Sequence, residues 1–419
     1  MRAHLAALLF ALCASAAAQP VAPVLAQARA QQAPLLETLK ALVSIESGSR
    51  DLEGLDRIAN LIASRLRALG GEVELVEPFD VYRMEDTPER TGKMVRAAFR
   101  GAGAKKILLI AHMDTVYLRG MLAKQPFRVD GDRAYGLGIS DCRQGIAAIL
   151  HTVAVLQALK FREYGTLTVL INADEEISSP GSRALLTRLG AEHDATLSFE
   201  ASLADSDKLA LATAGIASAN LRITGKASHA GAAPELGVNA LYELSHQILQ
   251  SRDLSEPATG VKLNWTLARA GQNRNVIPPT AEATADVRVL RVADYDRIEA
   301  RLRDRIRTQL LPQAKVELAF ERRRPPLEAS AAGIELAKRA QAIYRELGLS
   351  LVVDDVAEGG GTDAAFAALN TKSAVLERFG LRGFGAHSSS DEYILVSSIA
   401  PRLYLAARLI MDIARGNGG

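Results

Sequence analysis

Apolar residues recur at helical spacing in Leu55, Ile58, Ile62, Leu66 and Leu69, which predicts an amphipathic helix that Gly70-Gly71 ends. Ile107 to Ala111 is instead a continuous apolar run, the pattern of a strand buried on both faces. Ile146, Ile149, Leu150, Val153 and Leu156 mark a second helix, Leu167 to Ala173 a second buried strand, and Thr196 to Phe199 a third. Strands and helices alternating in this way predict an α/β sandwich with a largely parallel sheet.

The pattern changes between Ala214 and Pro325. Ala219 to Thr224 reads as a strand, and Ala240, Leu241, Leu244 and Ile248 as a helix stripe. Val261 to Ala270 and Ala283 to Leu290 read as strands, Tyr295, Ile298, Leu302 and Ile306 as a helix, and Val316 to Phe320 as a last strand. The order β-α-β-β-α-β is that of a ferredoxin-like unit. After Arg324-Pro325-Pro326 the first pattern resumes: a helix through Ile334, Leu336, Ala340, Ile343 and Leu347, a short strand at Ala374 to Glu377 and a closing helix from Leu403 to Ile413. One domain (19–213 and 326–419) is therefore expected to be interrupted by another (214–325). A length of 419 residues agrees, because single cores usually stop growing at about 250–300.

The start of the chain reads as an export signal. Arg2 and His4 form a positive n-region, Leu5 to Ala14 is an apolar run too short to span a bilayer, and Ala16-Ala17-Ala18 suits cleavage after Ala18. A periplasmic or secreted protein is expected, free of the membrane after cleavage. Cys13 leaves with residues 1–18, so Cys142 remains as a lone cysteine and no internal disulfide can form. Two cysteines in the whole chain exclude a disulfide-stapled scaffold. With 50 Lys and Arg against 48 Asp and Glu, the net charge of +2 gives no basic surplus for a nucleic acid.

The candidate chemistry lies at the carboxyl ends of the buried strands, where open α/β sheets bind ligands. His112 and Asp114 follow the strand Ile107 to Ala111, with alternation placing them on one side of the chain. Asp141 follows the Gly-rich turn Gly136 to Ser140. Asp174-Glu175-Glu176 ends the second strand, Glu200 ends the third, and His387 lies in the loop Gly383 to Ser390. Singly these are weak signals. Carboxylates converging without a cation would repel one another, whereas two histidines and three carboxylates would balance two Zn²⁺ ions with mixed N and O ligands. Adjacent Glu175 and Glu176 permit one to bind metal while the other handles protons.

At these residues the sequence resembles the aminoacylase and acetylornithine deacetylase family of two-zinc exopeptidases and, within it, the bacterial glutamate carboxypeptidases. The similarity is densest in His112 to Tyr117 (HMDTVY), Asp174-Glu175-Glu176, Gly225 to Ala240 (GKASHAGAAPELGVNA), Gly359 to Ala365 (GGGTDAA) and Arg402 to Asp412 (RLYLAARLIMD). It implies a zinc-exopeptidase α/β sandwich with an inserted lid and dimerisation domain, and a homodimer through that domain. It implies that Asp141 bridges two metals, that His112 and Glu200 complete one site, and that Glu176 and His387 complete the other. Glu175 is then the general base and Asp114 orients His112. His229 and Asn275 contact the substrate, the histidine reaching across from a partner subunit in some relatives. Arg288, Arg324 and Lys208 are candidates for the substrate's carboxylates, since an arginine fork suits bidentate binding. For Arg324 the alternative is a solvated edge, because it closes the run Arg322-Arg323-Arg324. The implied reaction is hydrolysis of an amide to a C-terminal glutamate in a folate-type or other N-acyl substrate.

One stretch departs from the family. Asp-Lys-Gly usually follows the bridging Asp, with a cis peptide directly after it; here Cys142-Arg143-Gln144 follow Asp141. Cys142 then either packs as a small buried residue or offers an unintended metal ligand. The departure keeps open a binding-only relative without turnover, beside an aminoacylase or dipeptidase with another N-acyl substrate. Of the remaining histidines, His151 reads as a structural hydrogen-bonding group, His193 as a surface loop residue, and His246 as lying off its helix stripe.

Overall fold

The computed structural model describes residues 19–357, 359–388 and 390–416. The export-signal reading therefore lies outside the described residues.

The larger sheet has six strands, in the order Glu72–Val76, Met94–Arg100, Thr166–Asn172, Lys106–His112, Ala195–Ser198 and Ala374–Leu376. The last three pairings are parallel, and the two at the Glu72–Val76 edge are antiparallel. The expected largely parallel sheet is thus a mixed one. Lys106–His112 shows why its run is continuous. Ile107, Leu109 and Ala111 join a core with the helices Leu52–Ala68, Gln144–Ala158, Ala331–Glu346 and Ile399–Ala414. Leu108 and Ile110 face the other side, against Leu185, Leu186 and Leu189 of the helix Arg183–Glu192 and against Phe366. With both faces covered, every position must be apolar.

Side chains fix the helix starts. Asp51 accepts from Gly54 N at 3.0 Å and Ser330 accepts from Gly333 N at 3.0 Å, each satisfying a donor that the first turn leaves free. Two N-terminal helices, Ala22–Ala30 and Gln32–Val43, add Val24, Ala28, Leu35, Leu39 and Leu42 to the main core. No hydrophobic stripe announces the first of them in the sequence, because APVLAQARA is Ala-rich with few large apolar residues to mark a face.

The second sheet is antiparallel, in the order Lys262–Ala270, Thr280–Val289, Gly215–Thr224, Lys315–Arg324. In chain order this is 2-3-1-4, the ferredoxin-like arrangement. The strand Gly215–Thr224 alternates between buried and less buried positions, as one covered face requires. Leu244 from the helix Ala240–Ser251, and Ile298 and Leu302 from the helix Ala293–Arg305, cover that face. Where the chain enters and leaves this unit the two crossings run side by side, Thr213 N donating to Leu327 O at 3.0 Å. Among the described residues no helix is long and apolar enough to cross a membrane.

Candidate metal centre

His112 is the last residue of Lys106–His112 and is almost fully buried. Its Nδ1 lies 3.1 Å from the Asp114 carbonyl and 3.3 Å from Asp114 Oδ1. Its Nε2 lies 2.9 Å from Asp141 Oδ1 and 3.3 Å from Glu200 Oε1. The other Asp141 oxygen, Oδ2, lies 3.3 Å from His387 Nε2, which is 3.1 Å from Glu176 Oε2. Asp141 thus turns one oxygen to each histidine, with Glu200 beside one and Glu176 beside the other. Asp114 ties the cluster together. Its Oδ1 accepts from Glu175 N at 3.0 Å, and its Oδ2 accepts from Glu176 N at 3.1 Å and from Ser49 Oγ at 2.7 Å.

The charges in this cluster conflict. Burial pushes His112 down, yet Glu200, Asp114 and Asp141 together hold it well above the usual imidazole range. Hydrogen bonds donated to Asp141 and Glu176 raise His387 to about 10. Burial pushes Glu176 up to about 7 against the opposing His387. For Asp141 burial acts upward, but its contacts with His112 and His387 win and lower it. Protons are held where a cation would neutralise the carboxylates. Glu176 Oε1 is buried and finds no hydrogen-bond partner among the described residues, an orphan that a metal ion would satisfy. Ligand atoms of His112, Asp141 and Glu176 also lie within 4.8 Å of one another. Imidazole nitrogens with carboxylate oxygens fit Zn²⁺, and the donor set passes that test.

The turn carrying Asp141 is held by groups the sequence reading left unassigned. Glu392 is buried and accepts from Gly138 N at 2.7 Å, Ser140 N at 2.8 Å, Asp141 N at 3.0 Å and Tyr117 OH at 2.6 Å. The Asp141–Cys142 peptide is cis. Cys142 is fully buried, its thiol donating to Phe199 O at 3.3 Å, and burial keeps it protonated. Its sulfur still lies within 4.8 Å of ligand atoms of His112 and Glu200. Arg143 is buried and donates to Met113 O and Ser47 Oγ. Gln144 donates to Phe199 O at 2.9 Å and accepts from Leu381 N at 2.6 Å. Cys142, Arg143 and Gln144 therefore tie the turn to the carboxyl ends of two strands.

The cluster opens into a cavity of about 1110 Å³ whose walls include Asp141, Glu175, Glu176, Glu200, His387, Arg288 and Arg324. Arg324 is no solvated edge. It is buried, with Nη1 2.6 Å from Glu175 Oε1 and 3.1 Å from Asp363 Oδ1, and Nη2 donates to the Glu175 carbonyl at 2.6 Å. Arg322 and Arg323 turn outward to Asp296 and Asp86 instead. A Cβ at Gly361 would meet Arg324 Cδ at 2.6 Å, so the absence of a side chain at Gly361 makes room for the guanidinium stem. Burial raises Glu175 well above the carboxylate range, with Arg324 opposing. Arg288 pairs with Asp286 at 2.9 Å and donates to Gly359 O at 2.9 Å.

Three of the expected substrate contacts, Lys208, His229 and Asn275, do not line this cavity. Lys208 is buried and paired with Asp354 at 2.7 Å. His229 and Asn275 lie together on the ferredoxin-like unit, in exposed backbone where Ala230 N donates to Asn275 O at 2.9 Å. His229 Nδ1 accepts from Gly231 N and Ala232 N, at 3.2 and 3.1 Å, which places the proton of the neutral ring on Nε2. His193 corrects another expectation. It is buried, with Nδ1 2.7 Å from Leu189 O and Nε2 2.7 Å from Thr168 Oγ1, because the end of its helix folds back over the sheet. His151 bonds Thr38 Oγ1 at 2.8 Å and Gln31 Oε1 at 2.6 Å, and the half-buried His246 faces Thr308 O at 3.2 Å. Asp363, within the Gly359 to Ala365 motif, was the legible signal left without a role. It links Arg324, Asn172 at 2.7 Å and Ser179.

Comparison with known proteins shows the family and the fold. Residues 108–412 match peptidase family M20/M25/M40. The chain is 46% identical over 403 residues to carboxypeptidase G2 of Pseudomonas sp. (strain RS-16), covering 96% of this chain and 95% of that one. An aminopeptidase PepT from Bacillus cereus shares the fold with a TM-score of 0.72 and 21% identity, over 91% of this chain and 99% of that one. An M20 family metallo-carboxypeptidase from Sulfolobus solfataricus does so with a TM-score of 0.71 and 15% identity, over 90% of this chain and 98% of that one.

Proposed function

The chain belongs to peptidase family M20/M25/M40, a metal-dependent hydrolase by that membership, and we propose that it is a carboxypeptidase releasing glutamate from N-acyl glutamates of the folate type. The observation that carries the reading is the division of Asp141 between His112 and His387, beside two arginines in one cavity. Two zinc ions are the proposed cofactors, one held by His112, Asp141 and Glu200, the other by His387, Asp141 and Glu176. Bound there, they would polarise the scissile carbonyl and bring a water's pKa towards ~7.

Glu175 takes the water's proton and returns it to the leaving amine. Its buried position suits this, because burial raises the carboxyl above its usual range and so makes it a stronger base. Asp114 fixes the His112 ring through Nδ1 and holds the Glu175-Glu176 backbone in register with it. Arg288 and Arg324 bind the carboxylates of the departing residue, which makes the enzyme an exopeptidase.

His229 Nε2 donates to the developing oxyanion, with Asn275 beside it. Both lie outside the cavity walls of their own chain, so the reading places them in the site of a partner subunit. Support for a homodimer through the inserted unit comes from its exposed apolar side chains Leu241, Tyr242, Leu249 and Leu267. The junctions near Ala214 and Pro325 serve as hinges for closure. Residues 1–18 are proposed to direct export, tested by N-terminal sequencing of the exported protein.

The test of function is glutamate release from a folate-type substrate by zinc-loaded protein, beside a chelator-treated sample and a panel of other N-acyl amino acids. Chelator-sensitive glutamate release is expected. Hydrolysis confined to another amino acid would move the substrate, and silence across the panel with zinc bound would overturn turnover itself.

A further inference from the structure

A row of aromatic rings runs along another wall of the same cavity. Phe384 and Tyr393 are cross-strand partners of Arg382–Phe384 and Tyr393–Leu395, and Tyr393 is in turn partnered with Tyr135 of Arg133–Tyr135. Their side chains therefore share one face. The Phe384 and Tyr393 rings are 5.6 Å apart and tilted by 35°, and Tyr393 and Tyr135 are 5.5 Å apart. The Arg133 guanidinium caps Tyr393, 4.5 Å from its centroid. Phe384, Tyr393 and Arg133 all line the cavity. Phe384 is 59% exposed although an apolar ring gains by burial, and it stands three residues before His387.

We infer that Phe384, Tyr393 and Arg133 form the subsite for the acyl side of the scissile amide, and that it takes a flat aromatic acyl group bearing hydrogen-bond acceptors. The inference rests on the proposed exopeptidase reading, which places the departing residue at Arg288 and Arg324 and so leaves the acyl group for the remaining walls. A planar ring lies against Phe384 and covers the surface left open. The stacked guanidinium, which also hydrogen-bonds Tyr135, offers its remaining N–H donors to acceptors on that ring system. An aliphatic acyl group would gain contact area there but neither stacking nor in-plane bonds.

The test compares 4-aminobenzoyl-glutamate with acetyl-glutamate on zinc-loaded wild-type, Phe384→Ala and Phe384→Tyr enzymes. Phe384→Ala is expected to lower kcat/KM for the aromatic substrate about tenfold, mainly through KM, with a change of about twofold or less for the aliphatic one. Phe384→Tyr is expected to retain the discrimination. Equal losses on both substrates, or no loss on either, would overturn the subsite while leaving the proposed function standing. If the wild-type enzyme releases a different amino acid, the glutamate reading fails, and the subsite is judged on aromatic and aliphatic acyl forms of that amino acid. Silence of the wild-type enzyme on every pair overturns both.

Discussion

Arg324 Nη1 sits 2.6 Å from Glu175 Oε1, and both side chains are largely withdrawn from solvent. The pair joins the last residue of a strand in the inserted unit to the turn that carries the candidate metal ligand Glu176. An arginine expected only at the substrate's carboxylate thus also holds the expected base. Glu175→Gln should keep its zinc and lose kcat by about 10²–10⁴-fold, the usual weight of a positioned acid–base group. Metal content by elemental analysis beside steady-state rates checks this, and a fully active variant refutes the assignment.

Removing the metal should do more than stop turnover. Without a cation, His112, Asp141, Glu176, Glu200 and His387 remain as a crowded polar cluster, and any ligand that binds only the folded state stabilises it. Chelated protein should melt at a lower temperature than zinc-loaded protein and recover both Tm and activity on zinc addition. Unchanged melting would argue against the donor set described.

If His229 serves the partner's site, two inactive variants should rescue each other. Glu175→Ala and His229→Ala homodimers are each expected to be dead. Refolded together, they should regain partial activity, because one site of the mixed dimer keeps Glu175 from one protomer and His229 from its partner. No recovery in a mixture shown to contain mixed dimers would place His229 in its own chain's site or outside catalysis.

His151 gives a pH prediction away from the metal centre. Burial, with Arg65 nearby, lowers it from 6.5 to about 4. The folded state therefore prefers the neutral ring. The stability this contributes is complete above pH 6.5 and is lost as pH falls towards 4. At 1.36 kcal/mol per pKa unit the loss is of order 3 kcal/mol. Denaturation of wild type and His151→Asn across this window should show a steeper acid loss in the wild type; parallel curves would contradict the buried neutral ring.

The pair Arg402–Asp207 is structural in the same sense. Arg402 is almost fully buried, its Nε 2.8 Å from Asp207 Oδ1, and Tyr344 OH donates to Asp207 Oδ2 at 2.6 Å. Asp207→Ala strands a buried guanidinium and should cost about 3–5 kcal/mol. The midpoint of urea denaturation reads this, and a shift worth under about 1 kcal/mol would mean that the arginine finds another acceptor.

The sequence alone determined the buried strands that carry the candidate chemistry and the order of the inserted unit, but not the N-terminal helices or the strands Glu72–Val76 and Met94–Arg100. The run Ile107 to Ala111 could only be a two-faced strand, so His112 had to emerge at its carboxyl edge, and the same logic placed Glu175, Glu176 and Glu200. The β-α-β-β-α-β order followed from periodicity, since one covered face imposes alternation on each strand. Tertiary structure alone decided what met across the chain. Glu392 lies 251 positions from Asp141, whose N–H it accepts, and no local pattern marks that pairing. Asp363 stood in a legible motif, but its partners Arg324, Asn172 and Ser179 come from three separate segments that only the fold brings together. His193 read as a loop residue because its burial depends on Thr168 in a strand distant in sequence. Periodicity records how each segment meets a core, whereas a buried polar group needs one particular partner, and only folding specifies which.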